Sequence, residues 1–203
     1  MNNKKMICVG HSHARRFGSF TRGPFQGKNQ TNLGLSRGDF QFAFHGEGGL
    51  RLDQLDRQGS ASNLFMRLLS GARVCILFIG DNDVFRYEPQ YLAQSILEKA
   101  SSIKEDHRFQ VVYVAPLLPR RVGAHGNVHR YNRRAAVVNN ALRARAGNFG
   151  IQVMKQLFSL PSTSQREYDA QANLFMADGV HLNAFGNRRL YNYIRGIAIR
   201  AAR

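Results

Sequence analysis

Residues 6–17 read Met-Ile-Cys-Val-Gly-His-Ser-His-Ala-Arg-Arg-Phe, and this stretch predicts how the chain begins to fold. Residues 6–9 are apolar or carry a thiol, which is typical of a short buried strand, and Gly10 interrupts the run. Residues 14–17 favour a helix. Ser12 is therefore predicted at a strand-to-helix turn, where a helix N-terminus favours developing negative charge. Such a serine is a candidate nucleophile, although an ordinary N-cap is the commoner role at that position.

Further apolar runs predict a layered α/β domain. Phenylalanines alternate with other residues over 40–44, and residues 74–79 form a continuous apolar run, as expected for a central parallel strand. Two more strands are predicted at 111–115 and 151–154, and helices at 61–69, 89–104, 127–146 and 184–201. About five strands alternating with helices predict a three-layer α/β/α sandwich with a parallel sheet, forming one domain over residues 1–203.

Three segments carry more specific expectations. Residues 18–38 are rich in Gly, Ser, Asn and Gln and predict a long irregular connection. Residues 159–173 are polar and predict turns. In the helix at 61–69, we expect Leu64, Phe65 and Leu68 to face inward.

Charge is the most unusual bulk property of the chain. Its 203 residues include 29 Lys and Arg against 13 Asp and Glu, a formal net charge of +16. Such an excess attracts nucleic acid or an anionic membrane surface, although a merely solvated basic surface explains it equally well. No apolar run is long enough for a signal peptide core or a membrane span, so we expect an intracellular protein. Cys8 and Cys75 lie in predicted strands, and we expect buried free thiols there.

Two polar stretches accompany the serine turn. Residues 80–83, Gly-Asp-Asn-Asp, follow the continuous apolar strand, where open α/β sheets form their sites. Asp178 and His181 are three residues apart before the last helix. That spacing lets a carboxylate hold one ring nitrogen while the other faces outward, as a general base requires.

Four short blocks of the sequence, taken together, resemble the SGNH, or GDSL-type, hydrolase superfamily. The blocks are Gly10-His11-Ser12, Gly49, Gly80-Asp81-Asn82-Asp83 and Asp178-Gly179-Val180-His181. Their order and approximate spacing match, and the resemblance spans nearly the whole chain. It implies a flavodoxin-like sheet and an ester-cleaving site.

The resemblance also implies a role for each site residue. Ser12 would attack the acyl carbon, His181 would take its proton, and Asp178 would hold the imidazolium. The backbone N–H groups of Ser12 and Gly49 and the side-chain amide of Asn82 would form an oxyanion hole.

Most members of the superfamily carry Asp where this chain has His11, which puts the geometry of the turn in question. His11 and His13 flank Ser12 and are alternative bases. We disfavour both because side chains of adjacent residues diverge from the serine hydroxyl.

A narrower resemblance concerns the esterase domains encoded by some invertebrate and fish retrotransposons. It rests on Gly-His-Ser-His-Ala-Arg-Arg-Phe at 10–17, on residues 131–142, on Asp-Gly-Val-His-Leu-Asn-Ala-Phe-Gly at 178–186 and on residues 191–197. Those domains tolerate His in the first block, and a role beside RNA or membranes would rationalise the basic charge.

The sequence therefore supports two hypotheses. The first is a serine esterase or acetylesterase that cleaves small acyl esters without a metal or a cofactor. The second is a binding module that keeps the fold for nucleic acid or anionic lipid and has little or no turnover. His125 and His129 are four residues apart and suggest a shared metal, but no third ligand is evident, so a solvated pair is favoured.

Overall fold

The computed structural model describes residues 4–25, 28–29, 32–35, 40–121 and 127–201. Its main feature is a parallel sheet of five strands in the order β4-β1-β5-β6-β7. These strands are β1 (Lys4–Gly10), β4 (Phe40–Gly46), β5 (Val74–Phe78), β6 (Val111–Val114) and β7 (Gln152–Val153). A separate antiparallel ribbon pairs β2 (Pro24–Phe25) with β3 (Lys28–Asn29).

Helices cover both faces of this sheet. They are α1 (Ser12–Arg22), α2 (Ala61–Leu68), α3 (Pro89–Asp106), α4 (Val128–Arg145), α5 (Gln165–Ala170) and α6 (Ala184–Ala201), with 3₁₀ turns at Leu52–Gln54, Ala146–Phe149 and Ala172–Leu174. Side chains of β1 point alternately to the two faces. Ile7 and Val9 join the apolar cluster that contains α2, α3 and α4 residues. Met6 and Cys8 join the cluster with α1 and α6. The predicted three-layer α/β/α sandwich with a flavodoxin-like parallel sheet is confirmed.

No helix among the described ranges is long and apolar enough to cross a membrane.

The carboxyl edge of the sheet is held together where β1, β4 and β5 end. Gly10 leaves β1 with φ +149°, and a Cβ there would overlap the carbonyl oxygen of Phe78. The His11 N–H donates to that carbonyl at 2.9 Å, and the Glu47 N–H donates to the Gly10 carbonyl at 2.9 Å. Because β1 lies between β4 and β5, the strand order reverses direction there, and such a reversal leaves a crevice suited to a site.

The irregular connection predicted to begin at Gly18 begins later, because α1 continues to Arg22. Gly18 lies inside this helix, where the lack of a side chain lets α1 approach β4. A Cβ at this position would lie 2.7 Å from Cβ of Phe44. The described part of the remaining connection contains the β2–β3 ribbon and a turn at 32–35. Residues 26–27, 30–31 and 36–39 lie outside the described residues.

The inward face predicted for α2 is wrong for two of its three residues. Leu64 and Leu68 are 56% and 74% exposed, whereas Met66 and Ser62 are buried and Phe65 is partly buried. The segment 159–173, predicted to consist of turns, contains the short helix α5 and a 3₁₀ turn.

Candidate active site

The predicted serine, histidine and acid lie in one hydrogen-bonded series at the carboxyl edge of the sheet. Ser12 is the first residue of α1, and His181 and Asp178 lie in the loop before α6. The Ser12 hydroxyl donates to Nε2 of His181 at 2.9 Å. Nδ1 of His181 donates to Oδ2 of Asp178 at 2.7 Å. Both ring nitrogens therefore have the partners that a general base needs.

Asp178 is held as a carboxylate. Its burial would raise its pKa, but the backbone N–H of His181, the His181 ring and the Val180 N–H lower that pKa to about 2. Its Oδ1 accepts both of those backbone hydrogen bonds at 2.9 Å. An ionised carboxylate is an acceptor only, so the proton on Nδ1 of His181 is fixed and Nε2 is left free to accept.

The loop that carries His181 is fixed by its own backbone and by the cap of the next helix. The Met176 N–H donates to the His181 carbonyl at 2.7 Å. Asn183 accepts the Gly186 N–H at 3.1 Å through its side-chain oxygen, at the start of α6. The imidazole is consequently placed by a short, well-bonded loop.

Of the three predicted oxyanion donors, two line one pocket and the third lies outside it. Asn82 is exposed and lines the same small pocket as Ser12. One N–H of its side-chain amide donates to the Leu50 carbonyl at 2.8 Å, which leaves the other free. Gly49 lies outside this pocket, and among the described contacts its neighbour Leu50 accepts the hydrogen bond from Asn82.

His11 stabilises the serine turn at the position where the superfamily has an acid. Its Nδ1 accepts the His13 N–H at 3.4 Å and so caps α1. Its Nε2 then carries the proton and donates to Asp81 at 2.8 Å. Asp81 also accepts the Tyr131 hydroxyl at 3.0 Å. The turn is therefore kept despite the departure from the superfamily pattern.

His13 is also occupied structurally. Its ring is buried, and its centroid lies 5.1 Å from that of His11 and 5.4 Å from that of His181. Burial and the neighbouring His11 lower the pKa of His13 to about 3, so this ring is neutral near pH 7. Among the described contacts of Ser12, the ring that reaches its hydroxyl is that of His181.

Two buried asparagines of α4, which the sequence motifs do not reveal, hold the backbone of the segment after β6, part of which lines the pocket. Asn139 accepts the Leu117 N–H at 2.8 Å and donates to the Leu117 carbonyl at 3.0 Å. Asn132 makes the same two-way contact with Arg120, with both distances 2.8 Å. Their seven-residue spacing, two helical turns, is the signal that could have identified them.

The remaining sequence expectations have mixed outcomes. Cys8 and Cys75 are buried free thiols, as predicted. His125 lies outside the described residues, so the pair with His129 is not tested. Within the ranges that the structure describes, no group of three or more His, Cys, Asp or Glu side chains is arranged to hold a metal ion.

A series of Ser, His and Asp at the carboxyl edge of a parallel sheet is typical of serine hydrolases. The chain belongs to the GDSL-like lipase/acylhydrolase family, whose model matches residues 18–194. The matched segment includes Gly49, Asn82, Asp178 and His181 and begins after Ser12. The predicted GDSL, or SGNH, membership is confirmed.

Solved structures with the same fold have little sequence identity to this chain. A member of the lipolytic G-D-S-L family from Veillonella parvula is 20% identical, with a TM-score of 0.62 over 97% of this chain and 98% of that one. A GDSL-like lipase from Bacteroides thetaiotaomicron is 16% identical, with a TM-score of 0.63 over 98% and 89%. A carbohydrate acetylesterase family member from Sinorhizobium meliloti is 15% identical, with a TM-score of 0.63 over 98% and 99%. Comparison with curated proteins gives no match.

Proposed function

We propose that the protein is a serine esterase of the SGNH type that hydrolyses small acyl esters through an acyl-enzyme intermediate. The observation that carries this proposal is the hydrogen-bonded series from Ser12 through His181 to Asp178, with distances of 2.9 and 2.7 Å. Membership of the GDSL-like lipase/acylhydrolase family supports ester hydrolysis independently.

In the first half-reaction, Ser12 Oγ attacks the ester carbonyl carbon while its proton moves to Nε2 of His181. Asp178 stabilises the imidazolium through the hydrogen bond at Nδ1. The tetrahedral intermediate then collapses, the bond to the leaving alcohol breaks, and His181 gives its proton to that alcohol. The acyl group remains on Ser12.

In the second half-reaction, water takes the place of the alcohol. His181 accepts a proton from the water as the water attacks the acyl carbon, and returns it to Ser12 when the acid leaves. The enzyme is thereby restored without a metal or a cofactor.

Charge on the substrate oxygen would be stabilised by the N–H groups of Ser12 and Gly49 and by the free N–H of Asn82. The Ser12 N–H lies in the first turn of α1, where the helix has no internal partner for it. One such donor is worth about 3 kcal/mol in the transition state.

A small acyl group, acetyl above all, suits the pocket beside Ser12. The space there that the centre of a water molecule can occupy is only about 20 Å³, so the pocket is narrow. The similar fold of the carbohydrate acetylesterase family member agrees with this choice.

The test compares hydrolysis of p-nitrophenyl acetate and longer p-nitrophenyl esters by the wild type and by Ser12→Ala. Ser19→Ala is the matched control, because Ser19 is an exposed serine of the same helix. We expect turnover to be highest with acetate, to vanish in folded Ser12→Ala, and to persist in Ser19→Ala. Equal rates in Ser12→Ala and the wild type would contradict the proposal. Circular dichroism establishes that all three proteins are folded.

The second candidate function is binding to nucleic acid or anionic lipid, with weak turnover or none. The net charge of +16 favours it, since an esterase has no need of such an excess. The resemblance to retrotransposon-encoded esterase domains agrees with this candidate and stays a prediction. Retention of Ser12, Asn82, Asp178 and His181 favours the esterase.

A further inference from the structure

We propose that Arg120 makes this site select esters that carry an anionic group, a carboxylate or a phosphate, close to the ester bond. The inference deepens the proposed esterase function and rests on it. Arg120 lines the same small pocket as Ser12 and Asn82. A substrate whose carbonyl reaches Ser12 therefore lies beside a residue that carries a positive charge.

The position of Arg120 is set by contacts on both its backbone and its side chain. Asn132 holds its backbone N–H and carbonyl, each at 2.8 Å, and the Tyr168 hydroxyl donates to the same carbonyl at 2.6 Å. The guanidinium carbon lies 4.0 Å from the centroid of the Tyr131 ring. An arginine stacked in this way loses less freedom when it binds a ligand than a free surface arginine does.

The charge of Arg120 has no acidic partner among the described residues. Their Lys and Arg ion pairs join Arg51 to Asp53, Arg86 to Asp83, Lys99 to Asp56 and Arg134 to Glu88. The two carboxylates nearest the serine are already used. Asp81 accepts from His11 and Tyr131, and Asp178 accepts from His181. The guanidinium shares a hydrogen bond with the Tyr131 hydroxyl, and because it has five N–H donors, it keeps others for an anion from outside.

A second arginine adds positive charge near the serine turn. Arg16 lies one helical turn after Ser12 and donates to the thioether sulfur of Met176 at 3.3 Å. The Met176 N–H in turn donates to the His181 carbonyl. Arg16 thus has a neutral partner next to the loop that carries His181, and no described carboxylate forms an ion pair with it.

The guanidinium group matches carboxylate and phosphate geometry, because its parallel N–H groups bind two oxygens at once. An ester without an anionic group cannot use this contact. We therefore expect discrimination between charged and neutral esters of the same size, and a preference that weakens as salt screens the partly exposed pocket.

The experiment measures kcat/KM for matched ester pairs with the wild type, Arg120→Gln and Arg120→Lys. On the alcohol side, para-acetoxybenzoate is compared with its methyl ester, and para-acetoxyphenyl phosphate replaces carboxylate with phosphate. On the acyl side, mono-p-nitrophenyl glutarate is compared with p-nitrophenyl valerate. The ratio of charged to neutral ester is taken within each protein, and comparing that ratio between proteins cancels the intrinsic reactivity of the esters.

We expect the charged-to-neutral ratio to fall about tenfold in Arg120→Gln for at least one pair, the effect of a charged hydrogen bond, and to recover partly in Arg120→Lys. Arg130→Gln is the matched control, because it removes the same charge from an exposed position on α4 outside the pocket. Its ratio should equal that of the wild type.

A measurement on the wild type alone guards against misfolding of the variants. If Arg120 binds anions, para-hydroxybenzoate should inhibit p-nitrophenyl acetate hydrolysis about tenfold more strongly than its methyl ester does. Equal inhibition, an unchanged ratio in folded Arg120→Gln, or an equal fall in Arg130→Gln would overturn the inference and leave the esterase proposal intact. If Ser12→Ala and the wild type hydrolyse every ester equally slowly, the esterase proposal fails, and this inference fails with it.

Discussion

At the scale of single residues, the serine turn depends on a histidine–carboxylate pair whose two members are far apart in sequence. The superfamily resemblance places an acid at position 11, but His11 stands there and Asp81 supplies the carboxylate from the turn after β5. His11 is 2% exposed and Asp81 is 14% exposed, so the pair is largely shielded from water. The contact joins the turn that carries Ser12 to the turn that carries Asn82.

A double-mutant cycle tests the pairing of His11 with Asp81. His11→Asp should lower both the free energy of unfolding and kcat/KM, because it places two carboxylates against each other. Adding Asp81→Asn should restore much of both, with a coupling energy of about 1–3 kcal/mol, since an amide can donate to the new carboxylate. Urea unfolding and ester hydrolysis of the four proteins give the coupling. Simple additivity of the two changes would contradict the pairing.

The same pair predicts a specific loss of stability in acid. Burial would raise the pKa of Asp81, but the electrostatic influence and hydrogen bond of His11 lower it from 3.8 to about 2. The folded protein therefore binds this proton less readily than the unfolded chain. The resulting stabilisation is present above pH 3.8 and is lost as the pH falls towards about 2.

For Asp81 this contribution is about 2 kcal/mol. In wild type the free energy of unfolding should therefore fall by about 2 kcal/mol more than in Asp81→Asn between about pH 6 and about pH 2. Denaturant unfolding at both pH values measures the difference. An equal fall in the two proteins would show that Asp81 has the same pKa folded and unfolded.

Residues such as Ser12, Asp178 and His181 could be predicted because each block is local and its chemistry is set by short spacing. The His11–Asp81 pair could not, since its members are 70 residues apart and only the sheet order brings β1 and β5 together. The same limit applies to Arg120, which reaches the pocket through contacts with α4.

At the scale of elements, α4 acts as a scaffold for the segment after β6. Asn132 and Asn139 are 1% and 0% exposed and satisfy the backbone of Arg120 and Leu117 respectively. The backbone groups of Leu117 and Arg120 lie beyond the end of β6 and pair with these side chains rather than with a neighbouring strand, as buried backbone groups need a partner. The two asparagines thereby place the residues that line the serine pocket.

Removing one of these contacts should be costly. Asn139→Ala leaves the N–H and carbonyl of Leu117 unpaired in a buried place, so we expect a loss of about 3 kcal/mol in the free energy of unfolding. Asn140→Ala is the control, because Asn140 is the exposed neighbour on the same helix, and it should change stability by less than about 0.5 kcal/mol. Thermal and urea unfolding of both variants and the wild type measure these losses in the free energy of unfolding. Similar losses in both variants would contradict the scaffold role.

Sequence predicts an element well when its apolar pattern is compatible with only one orientation in the fold. The continuous apolar run of β5 is buried on both faces, so no face of this strand has to be assigned to solvent. In α2, two sets of apolar residues compete, and periodicity does not say which faces the sheet. The buried set contains Ser62, whose hydroxyl donates to Glu47 at 2.6 Å, a contact that hydrophobicity alone does not reveal.

At the scale of the whole molecule, the net charge of +16 predicts salt-sensitive association with polyanions. We expect binding to single-stranded RNA at low salt, with an affinity that falls as salt rises by a log–log slope of about −0.7 for each phosphate neutralised. Fluorescence anisotropy of labelled RNA at several salt concentrations measures this slope. Ser12→Ala should bind equally well, because the charge is unchanged. Absence of binding at low salt would leave a solvated basic surface as the explanation.

The measurement that tests the central claim most directly is labelling by a fluorophosphonate, which forms a bond from phosphorus to a nucleophilic serine as fluoride leaves. Intact-mass spectrometry and peptide mapping should show one adduct on Ser12 in the wild type and none in folded Ser12→Ala. His181→Ala should label at least about 100-fold more slowly, since the series of Ser12, His181 and Asp178 acts as a unit. Ester hydrolysis by a wild type that carries no label on Ser12 would contradict the claim that this serine is the nucleophile.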